Sequence, residues 1–436
     1  MEYTDFFKDK RVTIMGLGLL GRGVGDADFL APLVKELVVT DKKSEKELQQ
    51  SVSRLSSHKN IVWHLGGHDM HDFTDTDMVI KAAGVPLDSS EIAAAREAGV
   101  PVYMSTALAA KFAVEAGARI VGVTGTRGKS TVAHMIHHVL QKAGRRSYLG
   151  GNIRGVSTLA LLSDIQKGDL FVLELDSWQL QGFGDLKMSP HVAVVTNLMP
   201  DHQNYYPDME TYFRDKTHIF RYQKEGDALF VGSSVSGRVR DVGAPVAPNE
   251  LIPIPHDWHL KIPGEHNREN AALAAGALRA LNLSEEEIQS GLESFEAVEG
   301  RLQLVREVKG VQVYNDNNAT TPEATSAALR ALDSGKKNII LIMGGADKGL
   351  DLSELLEEVR VRCKDVLFLA GTGTQRIRSA MPDALEYQSV QEAVAEAFKK
   401  ATEGDVILFS PAFASFGMFV NEYDRNDQFM KAVAAV

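Results

Sequence analysis

The stretch VTGTRGKSTV, residues Val123 to Val132, runs from a β-branched segment through a glycine-flanked loop into an apolar helical pattern. Gly125 and Gly128 allow the backbone N–H groups of such a loop to curl around a polyphosphate. The Walker pattern has another glycine five residues before Gly128, where this chain has Val123. Because a predicted strand precedes the loop and a predicted helix follows it, we interpret the stretch as a shorter phosphate loop.

The polar end of this loop supplies groups suited to nucleotide chemistry. Lys129 offers a positive charge to the β and γ phosphates, and the hydroxyl of Ser130 or Thr131 can hold Mg²⁺. A kinase, a GTPase switch and an ATP-driven ligase all use such a loop, so the rest of the chain must distinguish them.

Composition limits the classes of protein that the chain can be. It has 436 residues, 44% hydrophobic and 24% charged, with a net charge of −11 and the single cysteine Cys363. This charge argues against non-specific nucleic-acid binding, and one cysteine excludes an intrachain disulfide framework. We see neither a signal-like N-terminus nor an apolar run of about 20 residues that could insert into a membrane, so we expect a cytoplasmic protein.

Short β-branched segments alternate with helical patterns along the whole chain, which predicts parallel sheets covered by helices. We predict an α/β fold with three domains, residues 1–106, 107–298 and 299–436. The predicted strands are 11–15, 37–40, 61–64, 78–81, 102–104, 119–124, 170–175, 191–197, 228–231, 311–315, 338–343, 366–370 and 406–409. The predicted helices are 29–37, 91–98, 132–142, 267–281, 322–332, 352–360, 390–401 and the region near 426–433.

The stretch GLGLLG, Gly16 to Gly21, follows the first predicted strand, and Asp41 ends the next one. Glycines at this spacing let a phosphate approach a helix N-terminus, and the acid can bind a ribose or base group. Taken alone the pattern suggests a nicotinamide-dependent oxidoreductase, although a tight strand–helix turn without a ligand explains it equally well.

Further polar residues follow other predicted strands. Glu174 lies near the end of one strand, and Asp201 and His202 follow another, at the edge where ligands gather in parallel sheets. Asp316, Lys348 and Ser415 also come after predicted strands. Each of these residues alone is more often a capping or solvated residue. Their occurrence together with the loop favours a functional site.

Four further residues are candidates for the site, and for Lys216 and Asn267 a structural interpretation competes. Lys216 lies in a predicted amphipathic helix, where a lysine is usually solvated. Asn267 and Asn270 share one helical face and can read a base edge, with N-capping by Asn267 as the alternative. Arg301, at the second predicted domain junction, can reach a γ-phosphate as the domains close.

The order of these motifs resembles the Mur ligase family over nearly the whole chain. The matching stretches are GLGLLG at 16–21, TD at 40–41, GTRGKST at 125–131, GGNI at 150–153, LELDSWQL at 173–180, DH at 201–202, YFRDK at 212–216, HNRENA at 266–271, GR at 300–301, YNDNNAT at 314–320, GGADK at 344–348 and SPAFASF at 410–416. The resemblance implies a Rossmann-like N-terminal domain for a UDP-linked substrate, a central P-loop-type ATPase domain with a mostly parallel sheet, and a Rossmann-like C-terminal domain for an amino acid.

The resemblance also implies roles for individual residues. Lys129, His202, Lys216 and Arg301 would be catalytic, with two Mg²⁺ ions, or Mn²⁺, near Ser130, Glu174, His202 and a carbamylated Lys216. ATP would contact Gly125, Thr126, Gly128, Lys129, Ser130, Thr131, Asn267, Asn270, Arg301 and Asp316. The UDP substrate would contact Gly18, Leu19, Leu20, Asp41, Lys42, Asn152 and Gln179, and glutamate would contact Thr320, Lys348, Ser415 and Phe416.

The implied activity is ATP-dependent addition of D-glutamate to UDP-N-acetylmuramoyl-L-alanine through an acyl phosphate, by a monomer. The alternatives are the same chemistry with L-glutamate or another amino acid, a nicotinamide-dependent oxidoreductase, and a non-catalytic nucleotide sensor. Departures from the family pattern are Arg127 for an asparagine, Asn318 for a lysine, and Asp176 and Trp178 for serine and phenylalanine. We leave two uses of Arg127 open: a charge near the phosphates, or a side chain in solvent.

Overall fold

A computed structural model describes residues 2–19, 21–201 and 205–436 of the chain. These residues form three β-sheets flanked by helices. They divide into two compact units, Met1–Ile254 with Asn270–Gly291, and Pro255–Glu269 with Leu292–Val436. The α/β fold class is confirmed, while the predicted domain limits at 106 and 298 stay predictions.

The first sheet has five parallel strands in the order β3-β2-β1-β4-β5, which is the Rossmann order without a sixth strand. Its strands are β1 Arg11–Met15, β2 Glu36–Asp41, β3 Ile61–Leu65, β4 Met78–Lys81 and β5 Val102–Met104. The accompanying helices are α1 Tyr3–Phe7, α2 Arg22–Leu30, α3 Gln49–Arg54, α4 His71–Thr74, α5 Ser90–Glu97 and α6 Ser105–Glu115.

The second sheet is also parallel, with the order β10-β9-β6-β8-β7 and the loop-bearing strand β6 at its centre. Its strands are β6 Arg119–Thr124, β7 Ser147–Gly151, β8 Leu170–Glu174, β9 Val192–Val195 and β10 Ala228–Val231. The helices that follow are α7 Lys129–Lys142, α8 Ser177–Asp185, α9 Met209–Thr217, α10 Ser236–Asp241, α11 Glu265–Ala280 and α12 Glu285–Ser294.

The third sheet has six strands in the order β11-β12-β16-β13-β14-β15, and its edge strand β11 runs antiparallel to β12. Its strands are β11 Gln303–Val308, β12 Val311–Asn315, β13 Ile339–Gly344, β14 Cys363–Leu369, β15 Leu385–Tyr387 and β16 Val406–Phe409. Its helices are α13 Pro322–Ala331, α14 Ser353–Arg362, α15 Thr372–Ile377, α16 Val390–Lys400 and α17 Glu422–Ala434. The sheet is therefore mixed, whereas the alternating pattern predicted parallel pairing.

One predicted helix is wrong in its second half. The pattern predicted a helix over residues 29–37, but α2 ends at Leu30, a 3₁₀ turn covers Ala31–Leu33, and β2 begins at Glu36. Pro32 in that turn removes a backbone donor, which favours ending the helix there.

Apolar burial explains the position of each sheet. In the first unit one continuous core joins both sheets and includes Phe7, Leu108 and Phe183. In the second unit separate cores cover the two faces of the sheet. Cys363, the first residue of β14, is buried, and burial raises the pKa of its thiol to about 12. No helix within the described ranges is long and apolar enough to cross a membrane.

Candidate active site

The loop after β6 is packed so closely that its two glycines have no room for a side chain. A β-carbon on Gly125 would lie 1.9 Å from the Thr196 Oγ1, and one on Gly128 would lie 2.5 Å from the Asn270 Oδ1. Both glycines also have positive φ angles, 145° and 81°. The loop is thus fixed between the end of β9 and helix α11.

The segment after β9 fixes the middle of the loop by hydrogen bonds. The Thr126 and Arg127 backbone N–H groups donate to the backbone and side-chain oxygens of Asn197, at 3.1 and 2.8 Å. The Arg127 guanidinium pairs with Asp201 at 3.4 Å. The sequence left two uses of Arg127 open, a charge near the phosphates or a side chain in solvent. Neither describes the residue fully, because its charge is paired with Asp201 of the DH motif.

Two lysines converge on one carbonyl group of the loop. Lys129 Nζ donates to the Gly125 and Thr126 carbonyl oxygens at 3.1 Å each, and Lys216 Nζ donates to the Gly125 oxygen at 2.9 Å. The Lys216 ammonium also lies 4.6 Å from the Tyr212 ring centroid. The cation predicted to be solvated or carbamylated therefore lies beside the ATP-type loop.

Burial dominates the electrostatics of Lys216. The residue is 2% exposed, and burial, reinforced by the nearby Lys129 charge, lowers its pKa well below that of a free lysine. Since both effects disfavour the ammonium, the neutral amine is the form that this position favours.

Oxygen donors lie at the same edge of the second sheet. Glu174 ends β8 opposite Val123 in register, is 3% exposed, and forms no side-chain hydrogen bond or ion pair with another described residue. Ser130 and Thr131, in the first turn of α7, are also buried. His202 lies outside the described residues, and within them no three His, Cys, Asp or Glu side chains form a metal-binding group.

In the first sheet, Asp41, the acid predicted to bind a ribose or base group, connects two loops by hydrogen bonds. The Asp41 carboxylate accepts hydrogen bonds from the Gly18 N–H at 3.0 Å and the Lys43 N–H at 2.9 Å. Leu19 is 51% exposed and Lys42 is exposed, while Leu20 lies outside the described residues. The structure therefore places Gly18, Leu19, Asp41 and Lys42 at one end of the sheet.

The residues predicted to face the muramoyl group join the first and second sheets. The Asn152 Oδ1 accepts a hydrogen bond from the Arg22 Nη1 at 2.7 Å. Gln179 forms a capping box with Asp176 at the start of α8, and its Nε2 donates to the Thr106 Oγ1 at 3.0 Å. The substitution Asp176 thus has a structural explanation as a helix N-cap.

In the second unit, Asp316 follows β12 and accepts hydrogen bonds from the Ser410 hydroxyl at 2.8 Å and the Leu302 N–H at 3.0 Å. Burial raises its pKa to about 7, against the effect of these hydrogen bonds and of the Arg301 charge. Arg301 and Asp316, both predicted to contact nucleotide, therefore interact electrostatically.

Two of the residues predicted to bind glutamate meet directly. Lys348 Nζ donates to the Thr320 Oγ1 at 3.1 Å. An antiparallel bridge between Ala346 and Ala414 joins the GGADK and SPAFASF segments. Ser415 is buried, but Phe416 is 68% exposed, so its ring does not pack against these groups.

The two asparagines of α11 belong to different units. Asn270 packs against Gly128, while Asn267 Nδ2 donates to the Pro263 carbonyl oxygen at 2.8 Å. N-capping by Asn267 is wrong, because the helix begins two residues earlier at Glu265.

Several residues that contact these positions were not predicted from the sequence. Arg22 contacts Asn152, Asn197 fixes the loop, and the fully buried Arg425 binds Asn317 and the Phe413 carbonyl oxygen. Tyr212 carried a usable signal, because a residue four positions before Lys216 lies on the same helical face. The other contacts join distant segments and leave no local pattern.

Three domain models of one protein family match successive parts of the chain. The MurD-like N-terminal domain of Mur ligases matches residues 10–104, the Mur ligase middle domain residues 123–237, and the Mur ligase glutamate ligase domain residues 300–413. The Gly16–Gly21 loop thus lies within the first match and the VTGTRGKSTV stretch within the second.

Curated relatives match over nearly their full length. A UDP-N-acetylmuramoylalanine--D-glutamate ligase of Roseiflexus sp. is 33% identical, with 97% of this chain and 98% of the relative covered. Proteins of the same name from Borreliella afzelii and Natranaerobius thermophilus are 31% and 30% identical, each with 98% coverage of both chains.

Solved structures share the fold at lower identity. The UDP-N-acetylmuramate-alanine ligase MurC of Thermotoga maritima has a TM-score of 0.64 at 17% identity, covering 98% of this chain and 99% of that one. The MurF ligase of the same organism, in complex with ADP, has a TM-score of 0.61 at 18% identity, covering 93% and 97%.

Proposed function

The chain belongs to the Mur ligase family, and on this premise we propose that it uses ATP to join D-glutamate to UDP-N-acetylmuramoyl-L-alanine. Ligases of this family form carbon–nitrogen bonds with ATP. The full-length relatives that carry the D-glutamate ligase name support this substrate pair. The reaction would belong to peptidoglycan precursor synthesis in the cytoplasm, with the protein acting as a monomer.

The observation that carries the proposal is the convergence of Lys129 and Lys216 on the Gly125 carbonyl oxygen. The positive charge of Lys129 on a phosphate loop suits a polyphosphate, and it would spread the charge that develops as the γ-phosphoryl group is transferred. Thr126, Gly128, Ser130, Thr131 and Asn270 would surround ATP, and Asn267, Arg301 and Asp316 would also contact it.

Magnesium fits the donors at this edge of the sheet. Glu174 is a buried carboxylate without a partner among the described residues, which favours a cation beside it, and a serine hydroxyl is a second oxygen ligand. Ser130, Glu174, His202 and a carbamylated Lys216 would hold two Mg²⁺ ions, or Mn²⁺. When bound, these ions would neutralise charge on the phosphates.

The same geometry supports carbamylation of Lys216. Burial favours its neutral amine, whose lone pair can attack CO₂, forming an N–C bond and releasing one proton. The product is an anion, and it gives the Lys129 charge a partner of opposite sign at Gly125 in place of a neutral amine. Carbamylation would therefore explain why a buried lysine lies among the proposed metal ligands.

The reaction would proceed in two steps on groups that this chain holds in place. A carboxylate oxygen of the alanyl group attacks the γ-phosphorus, the bond to the β-bridging oxygen breaks, and ADP leaves. The glutamate amine then attacks the acyl carbon, the carbon–oxygen bond to phosphate breaks, and the amine loses a proton as the amide forms. Gly18, Leu19, Leu20, Asp41, Lys42, Asn152 and Gln179 would bind the UDP substrate, and Thr320, Lys348, Ser415 and Phe416 would surround glutamate.

A phosphate-release assay tests the proposal. The purified protein is given ATP, Mg²⁺ and UDP-N-acetylmuramoyl-L-alanine, with a panel of D- and L-amino acids, and only D-glutamate should give rapid release. Lys129→Ala should abolish release, while Lys142→Ala, at the far end of the same helix, should not. Absence of release with either glutamate enantiomer would refute the substrate assignment.

One residue favours a second candidate, the same ligase chemistry with L-glutamate or another amino acid. Asn318 stands where the family carries a lysine, and its amide contacts Asn317 and the Glu299 carbonyl oxygen instead of presenting a charge. The amino-acid panel separates the two candidates, because release with a different amino acid would identify it directly.

A further inference from the structure

Two arginine side chains lie next to the glycine-rich loop at Gly16–Gly21. Arg22 is the first residue of α2, and Arg54 is the last residue of α3. A β-carbon on Gly21 would lie 4.0 Å from the Arg54 Nη1. The end of a loop predicted to bind a nucleotide therefore has the Arg54 guanidinium close to Gly21, and Arg22 follows it directly in the chain.

Neither guanidinium has a carboxylate partner within the described part of the chain. Arg22 donates one hydrogen bond, to the neutral amide of Asn152, and Arg54 forms no side-chain hydrogen bond or ion pair there. Other arginines differ: Arg11, Arg279 and Arg330, for example, all pair with acids. Two guanidiniums without a direct carboxylate contact therefore lie at one loop, in a chain with a net charge of −11.

The carboxylates nearby are committed to other contacts. Asp26 accepts a hydrogen bond from the Ser157 hydroxyl at 2.5 Å, Asp28 pairs with His58, and the Asp41 oxygens accept backbone N–H groups. Burial raises the pKa of Asp26 and disfavours its charged form, although the Arg22 charge acts the other way. Neither guanidinium is thus neutralised by direct contact with a described carboxylate, and both can bind an external anion.

We propose that Arg22 and Arg54 bind the diphosphate of the uridine nucleotide, an inference that rests on the proposed function. A guanidinium presents a planar fork of donors that matches two phosphate oxygens, and a diphosphate offers two such groups. Both arginines are absent from the residues that the family resemblance assigns to this substrate. They add charge where the loop itself supplies only backbone N–H groups.

Arg22 has a second effect, on the orientation of Asn152. Because arginine only donates, the amide oxygen of Asn152 must face it, so the Nδ2 group points away from Arg22. Arg22 would thereby contact the diphosphate and also orient the Asn152 amide, whose N–H groups can donate to the sugar. Arg22 is a positioning residue in this respect.

Calorimetric titration of the full-length protein with UDP, UMP and uridine tests the proposal. The wild-type protein should bind UDP more tightly than uridine, and added salt should narrow the difference. Arg22→Gln and Arg54→Gln should each weaken UDP binding about tenfold and leave uridine binding unchanged. Arg240→Gln, an exposed arginine on α10 that contacts only its own helix, is the matched control and should bind UDP normally.

Other measurements separate a local effect from a folding defect. Both glutamine variants should keep the wild-type affinity for ATP and the wild-type melting temperature. If either glutamine variant loses ATP affinity or thermal stability, Arg22→Lys and Arg54→Lys replace it in the test. Lysine keeps the charge but not the planar fork of donors, so these variants should bind UDP with an affinity between those of the wild type and the glutamine variants.

Equal affinity of the wild-type protein for UDP and uridine would overturn the proposal, as would unchanged UDP affinity in both glutamine variants. The ligase assignment is tested separately by phosphate release. A protein that binds UDP through the two arginines but does not turn over would refute the ligase and leave the diphosphate site intact.

Discussion

At the scale of single residues, Lys216 shows how a fold can change the chemistry of a side chain. Its helix, α9, is held by Asp215, which accepts hydrogen bonds from Gln181 at 2.8 Å and Tyr206 at 3.1 Å. These contacts fix the lysine against the loop, where burial favours the uncharged amine. The proposed reaction of Lys216 with CO₂ depends on this position.

We expect Lys216→Ala to reduce phosphate release by about 10²–10³-fold, because a charged group beside the transferred phosphoryl is lost. Short carboxylic acids such as acetate should restore part of the rate by replacing the carbamate. Lys224→Ala, which changes an exposed lysine after the same helix, serves as the control and should keep full activity. Wild-type turnover in Lys216→Ala, or a native mass spectrum without one added CO₂ at saturating bicarbonate, would contradict the role.

The residue types of the site could be predicted from the sequence, but their partners could not. Glycines, a lysine and hydroxyls at fixed spacing identify a phosphate loop because its chemistry is local. The burial of Lys216 and the Arg127–Asp201 pair depend on segments far apart in the chain. Only the packed fold brings such segments together.

At the scale of elements, the first two sheets meet along a helix face made of small residues. A β-carbon on Gly25 of α2 would lie 2.7 Å from the Ser157 Cβ, and one on Gly21 would lie 3.5 Å from the Gly155 Cα. Ser157 also donates to Asp26 on the same helix. The glycines therefore set how closely α2 approaches the segment that carries Asn152.

Gly25→Ala should lower the free energy of unfolding by about 1–3 kcal/mol, because the added methyl group forces the two elements apart. Gly237→Ala is the matched control, because Gly237 is also helical and has no atom within 4 Å of its would-be β-carbon. This substitution should raise the free energy of unfolding by up to about 1 kcal/mol. Denaturant unfolding of both variants checks the pair. Equal effects of the two substitutions would mean that the contact does not limit packing.

Strand prediction from the sequence found every strand inside the three sheets but missed three of their six edge strands. The predicted bounds equal the observed ones for β1, β4, β5, β6, β10, β12 and β16. The missed strands β7, β11 and β15 all lie at sheet edges. Edge strands are half exposed, as the mixed burial along β11 shows, so their apolar pattern is weak.

At the scale of the whole molecule, residues 299–436 contain a complete sheet with a hydrophobic core on each face. A chain of this size buries enough apolar surface to fold by itself. We expect the isolated segment 299–436 to unfold in one cooperative thermal transition, followed by circular dichroism. Ile342→Asp, which places a charge in the fully buried strand β13, should abolish that transition. A broad, non-cooperative melt of the unaltered segment would argue against a domain boundary near 299.

Cys363 has a practical consequence for solution work on the intact chain. It is buried in β14, and so little thiolate forms at neutral pH that maleimide reagents should leave it unmodified. The natural sequence can therefore serve as the background for fluorescent labelling. Cysteines introduced at the exposed positions Val242 and Val361, one in each unit, would carry a dye pair whose energy transfer reports on inter-unit distance as nucleotide is added.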